Sequence, residues 1–147
     1  MSSGISRPEL TDPRAEAARG GTAASISQPG EQPTSPIVLV LADDLIWATR
    51  LVDAITTAGG EAKRVRRLDD VAAAGASHAI VDLTARAYDG VEAVRAVAGT
   101  GARVVAVGQH DDAALRRAAQ EAGAERVFTY RALFEDGPRT IGRWLAS

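Results

Sequence analysis

Asp43, Asp44 and Asp82 are the residues whose type and spacing point to chemistry. Each closes a run of aliphatic residues. Ile37 to Leu41 leads through Ala42 into the acid pair, and Ala79, Ile80 and Val81 lead into Asp82. Such runs are the pattern of strands buried on both faces. An acid at the carboxyl end of a parallel strand lies on the edge where open α/β sheets gather their ligands. Three carboxylates gathered there repel one another and raise their own pKa values unless a cation sits between them. An oxygen-only site without His or Cys suits Mg²⁺ or Ca²⁺. Mg²⁺ would keep several waters and take one or two carboxylates plus a backbone carbonyl, for which that of Thr84 is placed. The plainer readings are that Asp43 or Asp44 caps the following helix, and that Asp82 caps the turn after its strand.

The elements that must position these acids follow from periodicity. After the first strand, Trp47, Ala48, Leu51, Val52 and Ile55 form the inward stripe of a helix that stops at Gly59-Gly60. Glu61 to Arg67 reads as a short strand with an exposed edge, and Leu68 to Ala74 as a short helix. The strand ending at Asp82 comes next. Asp89-Gly90 then opens a third helix with Val91, Val94 and Val97 inward. A strand over 103–108, an alanine-rich helix over 111–122 and a last strand over 126–129 follow. A loop containing Gly137-Pro138 precedes a final helix carrying Ile141, Trp144 and Leu145. Crossovers of this length require a parallel sheet with helices on both faces. The expected architecture is a five-stranded parallel sheet of order 2-1-3-4-5, a flavodoxin-like α/β/α sandwich over residues 36–147. Its switch point lies between strands 1 and 3, where the three aspartates end.

Residues 1–35 hold four prolines, no aromatic residue and few branched aliphatics, and read as a disordered leader. A net charge of −2 offers no footprint for nucleic acid or an anionic membrane. The absence of cysteine excludes disulfides, thiol catalysis and thiolate metal sites, and two histidines are too few for a histidine-rich metal cluster. With no span-length apolar run and no secretory signal, a cytoplasmic protein is the expectation. Gly99-Thr100-Gly101 precedes a strand rather than following one, so it is no dinucleotide loop. His110 has no recognisable motif context, and no serine lies in a nucleophile elbow. The basic run Lys63 to Arg67 reads as the charged edge of strand 2.

The segments VLADD, VDLTARAYDG and VVAVGQH, spread over five β/α repeats, resemble the receiver domain of two-component response regulators. The resemblance covers about residues 36–146. It implies Mg²⁺ on Asp43, Asp44, Asp82 and the Thr84 carbonyl, with Asp82 as the residue a histidine kinase phosphorylates. The departures are equally specific. The family's Thr or Ser ending strand 4 is Gly108, and its Lys ending strand 5 is Tyr130, followed by Arg131 in place of Pro. Arg86 replaces the usual Pro in the loop after the phosphoacceptor. Loss of the Lys removes a charge-assisted partner worth about 1.5–3 kcal/mol to a phosphoryl group. Arg131, Arg86 or Gln109 could partly substitute.

Three functions are consistent with these residues. The first is an atypical stand-alone receiver-like module, not an enzyme, that acts through a protein partner such as a kinase or downstream signalling protein. It keeps the acidic pocket and loses the switch. The second is a working phosphoacceptor with Mg²⁺ on Asp82. The third is a small-molecule binder on a flavodoxin-like scaffold, which fold alone does not separate from the others. No output domain is expected after Ser147.

Overall fold

The structure, a computed structural model, describes residues 35–109 and 111–147. The leader expected over residues 1–34 and the reading of His110 lie outside the described residues. Residues Ser35–Ser147 form one compact unit.

Five strands alternate with helical segments: β1 (Ile37–Leu41), α1 (Leu45–Thr57), β2 (Glu61–Val65), β3 (His78–Asp82), α2 (Gly90–Ala98), β4 (Arg103–Gly108), α3 (Ala113–Ala122), β5 (Ala124–Thr129) and α4 (Tyr130–Ala146). All four pairings are parallel, and the order is β2-β1-β3-β4-β5. This is the 2-1-3-4-5 sheet expected from periodicity. Side chains alternate across the pleat. Val38, Val40, Ile80, Val105 and Val107 face α1 and α4, packing on Leu51, Ile55, Leu133, Ile141 and Trp144. Leu39, Leu41, Ala79, Val81, Val104 and Ala106 face α2 and α3, packing on Ala93, Val94, Val97 and Ala119. Two apolar cores therefore sandwich one sheet.

Three local expectations are corrected. The helix expected over Leu68 to Ala74 is a pair of 3₁₀ turns, Leu68–Asp70 and Ala72–Ala74. Among its described side chains Val71 and Ala74 are the buried anchors, too few to hold an amphipathic helix on the sheet. β5 begins two residues early, at Ala124. No loop separates β5 from the last helix. Thr129 caps α4 directly through its side chain, and Tyr130 is the first helical residue. The expected break falls inside the helix instead, at Asp136, after which Pro138 sits in the first turn of the second half. Buried Gly137 lies there against α1, where an added β-carbon would stand 3.2 Å from that of Ala54. Among the described residues, no helix is long and apolar enough to cross a membrane.

Gly90 shows how closely α2 abuts the end of β3. A β-carbon at this position would lie 2.6 Å from the Leu83 carbonyl oxygen and 2.7 Å from its Cα. Backbone cannot yield as a side chain does, so Gly90→Ala is expected to cost about 1–3 kcal/mol, read as a Tm several degrees lower.

At the opposite edge of the sheet, His78 packs edge-on against Trp144 and its Nε2 is buried without a partner. Burial and then the Arg103 guanidinium hold its pKa below the usual value, while Glu125 opposes them. The folded state thus favours neutral imidazole. Its contribution is whole above the unfolded value of about 6.5 and is lost as pH falls toward the folded value. NMR titration should place the His78 midpoint below that value, and His78→Gln should lessen the loss of stability on mild acidification.

Candidate functional site

The carboxyl ends of β1 and β3 meet, as the sheet order requires, and the three aspartates line one open cleft of about 570 Å³. Trp47, Thr84, Arg86 and Tyr130 complete its wall.

Each aspartate is held differently. Asp82 closes β3 and is only 3% exposed. Its Oδ1 accepts the Thr84 amide and the Thr84 hydroxyl, both at 3.0 Å, and a short hydrogen bond from the Tyr130 hydroxyl. The Thr84 and Tyr130 hydroxyl oxygens also stand against each other. Asp43 is exposed, and its Oδ2 accepts the amides of Arg86 (2.7 Å) and Ala87 (3.0 Å), tying the loop after β3 to the end of β1. Asp44 caps α1, its Oδ1 accepting the Trp47 amide at 2.8 Å. The plain capping reading therefore describes what Asp44 does, and the turn-capping reading describes part of what Asp82 does.

Sequence reasoning missed two parts of the site. Tyr88 directs its hydroxyl at the carbonyl oxygens of Leu41 (2.6 Å) and Asp82 (3.0 Å), bolting the ends of β1 and β3 together. Trp47, placed on the inward stripe from periodicity, is only half-buried. It lines the cleft and meets the Tyr130 ring edge-on at 4.9 Å. From the sequence Tyr130 is only a substituted position, whereas in the fold it lines the cleft and its hydroxyl reaches Asp82. The available signal was an aromatic residue at the carboxyl edge of the last strand.

The other named positions are scattered. Arg86 lines the cleft, exposed. Arg131 pairs with Glu135 at 3.0 Å and, like exposed Gln109, does not line the cleft. Gly108 ends β4, buried, with the Leu83 side chain 3.3 Å from where a β-carbon would stand. Asp43 and Asp44 are turned to backbone amides and Asp82 to two hydroxyls and an amide. Among the described residues, no three His, Asp or Glu side chains are grouped to hold a metal ion.

No family model matches the chain, and no curated protein matches it. Solved structures do. The fold is that of a response-regulator receiver domain. The chain superposes on the BeF3-activated receiver domain of DrrB with a TM-score of 0.66 at 19% identity, covering 78% of this chain and 100% of that one. A response regulator from Thermotoga maritima gives a TM-score of 0.66 at 13% identity over the same shares. The receiver domain of a Pseudomonas aeruginosa PAO1 sensor histidine kinase, which holds a magnesium ion in its active-site cleft, gives 0.64 at 16% identity, again covering 78% and 100%. On this receiver fold, Tyr130 stands at the start of α4 with its hydroxyl on Asp82.

Both tyrosines of the chain are pushed well above the ordinary phenol range. Burial is the main cause for each. Next come the charge of Asp82 for Tyr88 and the hydrogen bond to Asp82 for Tyr130. Folding thus favours the neutral phenols. Their contribution is complete below the unfolded value of about 10 and is lost as pH rises beyond it. Tyrosinate absorbance at 295 nm should therefore stay absent past that pH and appear together with unfolding.

Proposed function

We propose that this chain is a receiver-fold signalling module that works by docking to a protein partner, with its carboxyl-edge site held in one state by Tyr130. The observation that carries this reading is the Tyr130 hydroxyl on Asp82 Oδ1, backed by Thr84 and by the edge of Trp47. A phenol donates one hydrogen bond and brings no positive charge. A phosphoryl group on Asp82 would carry a charge of about −1.5 to −2, and the hydroxyl would have to leave to admit it. At Gly108 no side chain is present to follow such a group. Arg131 is engaged with Glu135, which leaves Arg86 as the cation on the cleft wall. On this reading the chain is not an enzyme, and its partner is a kinase or a downstream signalling protein.

One observation favours phosphorylation of Asp82 with Mg²⁺ instead. All the hydrogen bonds to the Asp82 carboxylate fall on Oδ1, which leaves Oδ2 without one among the described residues. Amide NMR spectra with Mg²⁺, before and after beryllofluoride, separate the two. The docking reading expects Mg²⁺ to move few resonances and beryllofluoride to add no change reaching Gly108 or β5. Mg²⁺-dependent beryllofluoride shifts that spread through β4 and β5 and vanish in Asp82→Asn would overturn it.

A further inference from the structure

Among the described residues, the large apolar side chains left exposed are Leu45, Ile46 and Phe134. Ile46, 76% exposed, begins a stripe on α1 that continues through Arg50, Asp53 and Thr57, all exposed. Spacings of four, three and four residues put them on one helix face. Phe134, 60% exposed on α4, lies beside this stripe, with the Arg50 guanidinium carbon 4.2 Å from its ring centroid. A guanidinium held by a ring face in this way keeps its N–H donors for another partner. Along the same stripe a groove of about 200 Å³ opens between α1 and α4, with Arg50, Asp53, Thr57, Leu133, Phe134 and Pro138 in its lining.

The charges on this face are arranged to complement themselves. Arg50 and Asp53 are opposite in sign, lie one turn apart, and neither makes an ion pair or hydrogen bond among the described residues. We propose that this face binds a second copy of the chain, α1 lying antiparallel on its counterpart across a twofold axis between positions 51 and 52. Such an axis brings each position opposite another of the same stripe, as an isologous contact requires. Arg50 then faces the partner's Asp53, and Asp53 faces the partner's Arg50. Ile46 falls opposite the partner's Thr57, where the groove receives its side chain. At a rise of about 1.5 Å per residue, Ile46 and Thr57 lie about 16 Å apart, equidistant from the axis. Knob, hole and both charges are thus matched by one operation. A purely acidic or purely basic partner would satisfy only one of the two charges.

A two-helix contact is at the small end of specific interfaces, so a dissociation constant on the order of 100 μM is expected. Sedimentation equilibrium on the full chain, from about 10 μM to about 1 mM, reads it directly. The mass should rise toward twice the monomer with concentration. Arg50→Asp or Asp53→Arg alone sets like charges opposite each other twice and should weaken the dimer at least about tenfold. Mixing those two variants should give a heterodimer, because each then carries two like charges opposite to its counterpart's. The double variant R50D/D53R should dimerise again. All these positions are exposed, and far-UV circular dichroism checks that each variant is folded. A wild-type chain that stays monomeric throughout overturns the proposal, even if this face captures a different protein. So does a dimer indifferent to both reversals, or single variants that fail to pair when mixed.

Discussion

A carboxylate that is 3% exposed must be met by donors, and the end of β3 is built around meeting Asp82. Burying an unpaired carboxylate is costly enough that a fold either neutralises it or surrounds it with hydrogen bonds. Here one backbone amide and two hydroxyls converge on Oδ1. The hydroxyl that completes the set comes from Tyr130, the first residue of the last helix. Asp82 therefore ties β3 to the start of α4, and the cleft takes its shape from that tie.

The second tyrosine does a related job with backbone alone. Tyr88 reaches the carbonyls of Leu41 and Asp82, which end β1 and β3. Asp43 draws the following loop onto the same corner through two amides. The strand ends are thus fastened by neutral phenols and backbone donors rather than by ion pairs. Salt would screen such bonds little compared with surface charge pairs. A phenol on a carboxylate also brings no positive charge into the pocket, which is the main electrical difference from a pocket held by a lysine.

α1 serves both regions of interest. Asp44 and Trp47 at its start belong to the cleft, while Ile46, Arg50, Asp53 and Thr57 present a separate outward stripe. The inward residues Ala48, Leu51, Ala54 and Ile55 lock the helix to the sheet. The break in α4 at Asp136 and the small Gly137 side let that helix approach α1, and the groove between them lies at this point.

The sheet was legible along the chain because its information is local. Uninterrupted aliphatic runs mark buried parallel strands, and crossover lengths leave little choice of order. With the order known, the meeting of Asp43, Asp44 and Asp82 at one edge follows. Periodicity was less reliable where anchors were few. The stretch from Leu68 to Ala74 reads as helical by composition, yet with Val71 and Ala74 as the buried anchors among its described side chains it forms 3₁₀ turns. What no local pattern carries is which side chains reach across. Tyr88 and Asp43 join segments more than forty residues apart, as do Tyr130 and Asp82. Those bonds depend on the directions that helices and loops take when they leave the sheet, and packing sets those directions. Residue order alone therefore placed the acids, and only the folded chain determined that a tyrosine hydroxyl would occupy Asp82.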